Sequence, residues 1–439
     1  MEDYKIVDGK RLRYGYTTGT CAAGAAKGAA ALLFGEDCVS VEILTPAGKT
    51  ARLRLEDIRR DETCGSCAVR KDAGDDPDIT GGILVYASAR FCPAGILIEG
   101  GEGVGRVSKP GLDQPVGASA INRVPRRMIQ ENVAEVCAKH GYSGGVAVRL
   151  RIPGGKALAE RTFNPQLGVE GGLSILGTTG VVEPMSDAAM IGAIRAEFSV
   201  RRASGEKTAL ITPGNYGKTF LAGFKCETEK TALLPNPVKC GNFIGDAVDI
   251  ALDFGFTRVL VAGHIGKLVK LVTGNFNTHS KYGDPRIMIF TAFTALTNPD
   301  LKAGDTLFAQ LFDCATSEAA IDLLQKRGYW EAVLHRILAG IQTQLDRRIA
   351  VYVLSSQTEK KEEKEKVERK TADLEEKEIE RKTADLEEKE TERKTARAEN
   401  IETAHAGKAE IGGVLFSSGL GLLGCTDGAV RILSGWRGV

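Results

Sequence analysis

The chain has 439 residues, with 58 Lys plus Arg against 57 Asp plus Glu and a hydrophobic fraction of 43%, enough to bury a sizeable core in two domains. A formal net charge of +1 supplies no basic field for a phosphate backbone, so nucleic-acid binding gains no support. No stretch reaches 18 apolar residues without charge or Gly, and the opening EDYKIVDGKRLRYG has no apolar signal core, so no membrane association and a cytoplasmic location are expected.

In chain order, TTGTCAAGAAKGAAALLF (17–34) is Ala-rich helix text opened by Thr and Gly. VSVEILTPAGKTARLRL (39–55) reads as a hairpin around Pro46, Ala47 and Gly48. ILVYASAR and GILIEGGEGVGRV add strands, and PRRMIQENVAEVCAKH (125–140) is a helix stopped by Gly141. Residues 1–150 are therefore expected to form an α+β domain.

The Gly- and Pro-rich stretch RIPGGKALAERTFNPQLGVEGG (151–172) marks the expected boundary. Beyond it, KTALITPGNYG, NFIGDAVDIALDFG and TRVLVAGHIGKLVKLVTG alternate strand, loop and helix, the pattern of a parallel sheet. Residues 151–355 with 410–439 are expected to form an α/β domain. RIAVYVL (348–354) and IGGVLF (411–416) read as two of its strands.

Between those runs lies a charged insertion, 356–409. Residues 359–399 hold 13 Lys/Arg and 16 Asp/Glu, and ERKTADLEEKEI, ERKTADLEEKET and ERKTARAENIET repeat every 12 residues from 368 to 403. A period of 12 is neither 7 nor 11, which argues against a long coiled-coil seam. Glu362 to Lys366, Glu378 to Lys382 and Glu390 to Lys394 sit at i,i+4 in the favourable order. A solvated helical arm is the reading, with a disordered linker or a partner-binding helix as alternatives.

Four glycine-rich turns follow apparent strands: GGEGVGR (100–106), GGLSILGTTG (171–180), TPGNYGKTF (212–220) and AGHIGK (262–267). Loops at the carboxyl ends of parallel strands collect backbone amides and helix N-termini, which suits nucleotide-like ligands. No GxxxxGK[ST] is present, so ATP use is unsupported. Thr178, Thr179 and Gly180 offer hydroxyls and backbone for the amino-acid end of a cofactor, or simply a turn. Asp246 shares a helical face with Asp249 and Asp253 and stands in the first turn, within reach of a ligand.

His264 and His279 lie in glycine-rich or polar text, where each suits a general base, a ligand to an acidic group or a hydrogen-bonded loop. Lys267, Lys281 and Arg286 surround them and suit carboxylates. The ten Cys read as reduced thiols rather than a disulfide framework. The CGSC motif at Cys64 to Cys67 has no second ligand pair for zinc, and its charged surroundings do not suit a redox helix N-terminus, so its thiols read as structural.

YGYTTGTCAAGAAKGAA (14–30) resembles the opening signature of the CbiD family, cobalt-precorrin-5B C1-methyltransferases of anaerobic cobalamin biosynthesis. GGEGVGRVSKPGL, GASAINRVPRRMI, GGLSILGTTGVVEPMS, TPGNYG, NFIGDAVDIALDFGF, VLVAGHIGKLVKL and NFNTHS are similar to that family's segments in the same order, over roughly residues 10–354.

The resemblance implies methyl transfer from S-adenosylmethionine to C1 of cobalt-precorrin-5B, a tetrapyrrole, giving cobalt-precorrin-6A and S-adenosylhomocysteine. It implies an α+β domain followed by a Rossmann-like α/β domain, with no protein-bound metal because the substrate carries the cobalt. Transient contacts with other enzymes of the pathway are compatible with it. Within that frame, Gly177, Thr178, Thr179, Gly180, Gly214, Asn215, Gly217 and Asp246 are the cofactor candidates. His264 and His279 are the catalytic candidates, and Lys267, Thr278 and Lys281 the substrate candidates. A non-catalytic corrinoid carrier and a nicotinamide-dependent reductase are the competing readings, and the charged insertion is a departure from the family pattern.

Overall fold

The computed structural model describes residues 4–7, 9–223, 236–384 and 409–434. It is a mixed α/β chain of two compact units, 1–205 and 206–439. Among the described residues no helix is long and apolar enough to cross a membrane.

In the first unit, six strands run in the order Ser40–Leu44, Thr50–Arg60, Gly65–Arg70, Leu84–Cys92, Gly145–Arg151, Ile96–Gly100. All neighbours are antiparallel except the last pair. Alternate residues of Thr50–Arg60 are buried, and the helix Thr18–Leu33 packs across the sheet and against Arg123–Lys139. Its small residues are what permit the approach. A Cβ at Gly24 would fall 2.4 Å from Leu53 Cδ1, and one at Gly28 2.7 Å from Leu55 Cδ1. The expected hairpin at 39–55 and the helix stop at Gly141 (φ +61°) are present.

The units divide at Gly205, not near residue 151. Residues 151–205 belong with the first unit because they return to pair with it through two-residue strands. Val169–Glu170 pairs with Arg106–Val107, Gly172–Leu173 with Gly103–Val104, and Val181–Val182 with Gly15–Tyr16. The Gly103 turn serves this packing, since a Cβ there would lie 1.8 Å from the Ile152 carbonyl oxygen.

The second unit is built on five strands in the order Val238–Lys239, Thr208–Thr212, Arg258–His264, Glu410–Ser417, Gly421–Cys425. The first four are parallel and the last is antiparallel, as the alternating strand–helix text predicts. Helices Asn215–Gly223 and Ile244–Asp253 start beyond the carboxyl ends of the first two strands in sequence, so the loops of interest gather along one edge of this sheet.

RIAVYVL, expected as a strand, lies instead inside the helix Trp330–Ala384. Strand Glu410–Ser417 pairs with Arg258–His264 and Gly421–Cys425, leaving 348–354 outside the sheet. The helix wins because its polar partners follow a helical spacing. Arg348 holds Asp249, and four residues on, Tyr352 holds Asp253. The expected helical arm is helical in backbone through Ala384, and the remainder of the repeat, 385–408, lies outside the described residues.

Candidate active site

The loop Gly177–Gly180 belongs to the first unit, where it ties down the N-terminus of the helix Thr18–Leu33. The Gly180 carbonyl accepts from Thr17 N at 3.2 Å and Thr20 Oγ1 at 2.7 Å. Gly177 (φ +140°) lies so close to Thr17 that a Cβ would meet its hydroxyl at 2.2 Å. Thr179 Oγ1 donates to the Val181 carbonyl and the Thr179 carbonyl accepts from Ala47 N, while Thr178 is exposed. The Thr-Thr-Gly-Thr text is thus explained locally: Thr17 caps the helix by accepting from Thr20 N, and Thr18 exchanges hydrogen bonds with the Leu176 backbone.

The other candidates gather at the carboxyl edge of the parallel sheet in the second unit. After strand Thr208–Thr212 the chain turns through Pro213 and Gly214 into the helix Asn215–Gly223. A Cβ at Gly217 would sit 1.7 Å from Thr212 Oγ1, whereas one at Gly214 would have no atom within 4 Å. The helix start is therefore pressed onto the strand end at one glycine and open at the other. Asn215 Oδ1 accepts from Lys239 Nζ at 3.1 Å.

Asn242 joins three of these loops, although no sequence pattern marks it. Its Oδ1 accepts from Lys267 Nζ at 2.8 Å and Thr278 Oγ1 at 3.3 Å, and its carbonyl accepts from Thr278 N at 3.0 Å. Lys267 also donates to the Pro213 carbonyl. Burial holds its ammonium below the ordinary lysine range; the Cys240 thiol beneath it pulls the other way and Lys270 adds to the depression. Cys240 itself is fully buried and pushed up to about 12, chiefly by that burial. Thr278 is buried, His279 and Lys281 are exposed, and His279 Nδ1 accepts from Lys281 N at 3.1 Å.

Asp249 and Asp253 are taken by the long helix, and Asp246 alone of the three stands half-buried in the first turn of Ile244–Asp253. There its carboxylate complements the helix dipole.

His264 ends its strand and caps the short helix Ile265–Leu268. Its Nδ1 accepts from Gly266 N at 3.2 Å, and its Nε2 lies 2.9 Å from Glu318 Oε1 and 3.4 Å from Ser418 N. Phe416, its partner across the parallel ladder, meets the ring edge to face at 5.8 Å, and Tyr216 lies 6.3 Å away. Glu318 opens the helix Ser317–Lys326. Ser317 Oγ and Ser417 Oγ, adjacent in sequence to Glu318 and Phe416, are buried without a hydrogen-bond partner in the described structure. Such groups usually contact water or a ligand.

Two family models match the chain: CbiD over residues 5–184 and the CbiD C-terminal domain over 277–359. The second ends at Glu359, where the charged segment begins. The cobalt-precorrin-5B C(1)-methyltransferase of Ruminiclostridium cellulolyticum is 42% identical over 350 residues, 79% of this chain and 88% of that protein. Its namesake from Thermoanaerobacter sp. is 44% identical over 330 residues, 75% and 87% of the two chains. That of Salmonella typhimurium is 37% identical over 348 residues, 79% and 86%. A crystal structure of a cobalamin biosynthesis protein (CbiD) from Archaeoglobus fulgidus is 27% identical, covering 64% of this chain and 86% of that one with a TM-score of 0.35.

Proposed function

The chain belongs to the CbiD family, and from that premise we propose that it is a cobalt-precorrin-5B C(1)-methyltransferase acting in cobalamin biosynthesis. The observation that carries this reading is the set of relatives bearing that name, 37–44% identical across 86–88% of their own length. The methyl donor is S-adenosylmethionine, the substrate is the cobalt-containing tetrapyrrole of the anaerobic route, and the protein works in the cytoplasm with no resident metal.

The residues at the sheet edge fit such a donor. When bound, S-adenosylmethionine supplies an electrophilic methyl on a sulfonium, and what it needs from the protein is positioning. Gly214, Asn215 and Gly217 offer backbone at a strand–helix junction with open space over Gly214. Asp246 offers a carboxylate for the donor's amino or ribose groups. This reading makes the second unit Rossmann-like in use and favours the 214–217 loop over Gly177–Gly180, whose carbonyls already cap a helix. Lys267, Thr278 and Lys281 are assigned to the substrate's carboxylates, and His279 and the pair that His264 forms with Glu318 to handling its proton.

Calorimetric titration with S-adenosylhomocysteine, which occupies the donor site without the unstable tetrapyrrole, tests the assignment. One saturable site, weakened at least tenfold by Asp246→Asn and unaffected by Thr179→Ala, is expected. Weakening by Thr179→Ala alone would move the donor to the first unit's loop. Absence of binding, with and without a corrinoid present, would favour a carrier.

A further inference from the structure

The sequence directs attention to His264 as a base, but the hydrogen bonds around its ring leave it poorly placed to accept a proton. Nδ1 already receives the Gly266 N–H. The 2.9 Å contact between Nε2 and a carboxylate oxygen places the ring's proton on Nε2, in competition with the Ser418 N–H, which approaches the same nitrogen as a donor at the longer distance of 3.4 Å. Both nitrogens are therefore committed, and the free lone pairs of the pair lie on the carboxylate.

We propose that Glu318 is the proton acceptor of the methyl transfer and that His264 is the residue that orients it. The inference rests on the methyltransferase reading above. In that reaction the methyl–sulfur bond breaks with its electron pair left on sulfur, and the bond to C1 forms from an electron pair of the macrocycle. The positive charge so delivered leaves the macrocycle as one proton, which the Glu318 carboxylate takes and passes to water. The carboxylate is suited to this: 41% of its side chain is accessible, Oε1 is fixed by the ring, and Oε2 has no partner among the described residues.

The charged surroundings keep it available. Arg286, on the helix Arg286–Thr297, carries a charge that interacts with Glu318, but its fork is engaged by Asp284 at 2.7 and 2.6 Å. Tyr216 faces the His264 ring from the helix Asn215–Gly223, and Lys267 from the next turn is held by Asn242. The buried hydroxyls of Ser317 and Ser417, without partners in the described structure, flank the pair in sequence. They are suited to hydrogen-bond a ligand brought against it.

The test uses the full-length protein, S-adenosylmethionine and cobalt-precorrin-5B. Wild type must first transfer methyl; if it does not, the functional reading fails rather than this assignment. Glu318→Gln is expected to lower kcat about 100-fold or more, the scale of general-base catalysis. Its affinity for S-adenosylhomocysteine should stay within about twofold, its pH–rate profile should differ in shape from that of wild type, and Glu318→Asp should recover part of the rate. Long-range proton–nitrogen NMR on the five histidines should show His264 as the Nε2–H tautomer. Unchanged turnover in Glu318→Gln overturns the proposal. So does a reduced rate with the wild-type pH profile, the Nδ1–H tautomer at His264, or the change of profile appearing in His279→Ala instead.

Discussion

Arg348 grips Asp249 with both arms of its guanidinium, Nε to Oδ1 at 2.8 Å and Nη2 to Oδ2 at 2.5 Å, and so fastens the long helix Trp330–Ala384 to the helix that carries Asp246. One turn along both helices, Tyr352 donates to Asp253 at 2.8 Å. Burial pushes the Asp249 carboxyl above its ordinary range despite the guanidinium, helped by the like charges of Asp246 and Asp253. Burial and Asp253 push Tyr352 up to about 12.

Removing the cation should therefore cost more than removing the pair. Arg348→Ala is expected to destabilise by about 2 kcal/mol, less than the loss for a fully buried ion pair because about a third of each side chain is exposed. The double variant Arg348→Met with Asp249→Leu should cost less than the single one. Denaturant unfolding of both measures it, and a double variant worse than Arg348→Ala would contradict the argument.

Asp78 in the first unit behaves in the opposite sense. Burial raises its carboxyl, but hydrogen bonds from Lys71 and from the Thr80 backbone and hydroxyl outweigh that and hold it below the ordinary value of 3.8. A depressed carboxylate stabilises above its unfolded pKa, and that contribution is lost as pH falls through the folded one. Lys71 is 2% exposed, so Lys71→Met should lower stability by about 2–4 kcal/mol at pH 7. The deficit should shrink as pH falls below about 4, where the variant's unpaired Asp78 becomes protonated. Thermal melts of both proteins from pH 7 to 3 read it, and a deficit that grows toward acid would refute the sign.

Where the sequence was legible, the cause was local. Thr17 before an Ala-rich run specifies a cap and a buried helix, Pro46-Ala47-Gly48 between alternating residues specifies a hairpin, and strand–glycine–helix text specifies a parallel sheet. Where it misled, the cause was distant. Ile349, Val351 and Val353 look like strand residues, yet Arg348 and Tyr352 are claimed by partners 99 residues upstream, and Gln342 bonds Ile411 and Gly428. The end of the first unit was hidden for the same reason, because its closing strands are two residues long and pair with text 60 to 170 residues earlier. His264 could be found by its glycine-rich setting, but Glu318 and Asn242 acquire meaning only from the contacts they make.

On the donor placement proposed above, the two glycines of the 214–217 loop should separate folding from binding. Gly217→Ala places a methyl 1.7 Å from the buried Thr212 hydroxyl and is expected to destabilise by about 1–3 kcal/mol. Adding Thr212→Ala should recover part of it. Gly214→Ala meets nothing within 4 Å, so its melting temperature should stay near wild type while its affinity for S-adenosylhomocysteine falls about tenfold. Equal affinity in Gly214→Ala and wild type would place the donor away from this loop.

The charged arm should be dispensable for the chemistry, because the described ties of its helix lie before it. Trp330, Val333, Leu334, Ile337, Ile341 and Leu345 supply the buried face, Arg348 and Tyr352 supply polar ties to Asp249 and Asp253, and Val351 and Leu354 are already more than 60% exposed. No candidate site residue lies between Tyr352 and strand Glu410–Ser417. Closing a shorter connection alters loop entropy only slowly with length, about 0.6 kcal/mol per doubling. Replacing 358–406 with a flexible Gly/Ser linker should therefore keep the melting temperature within a few degrees, S-adenosylhomocysteine affinity within about twofold, and methyl transfer intact. A folded deletion that binds the product but no longer transfers methyl would instead give the arm a part in handling the tetrapyrrole.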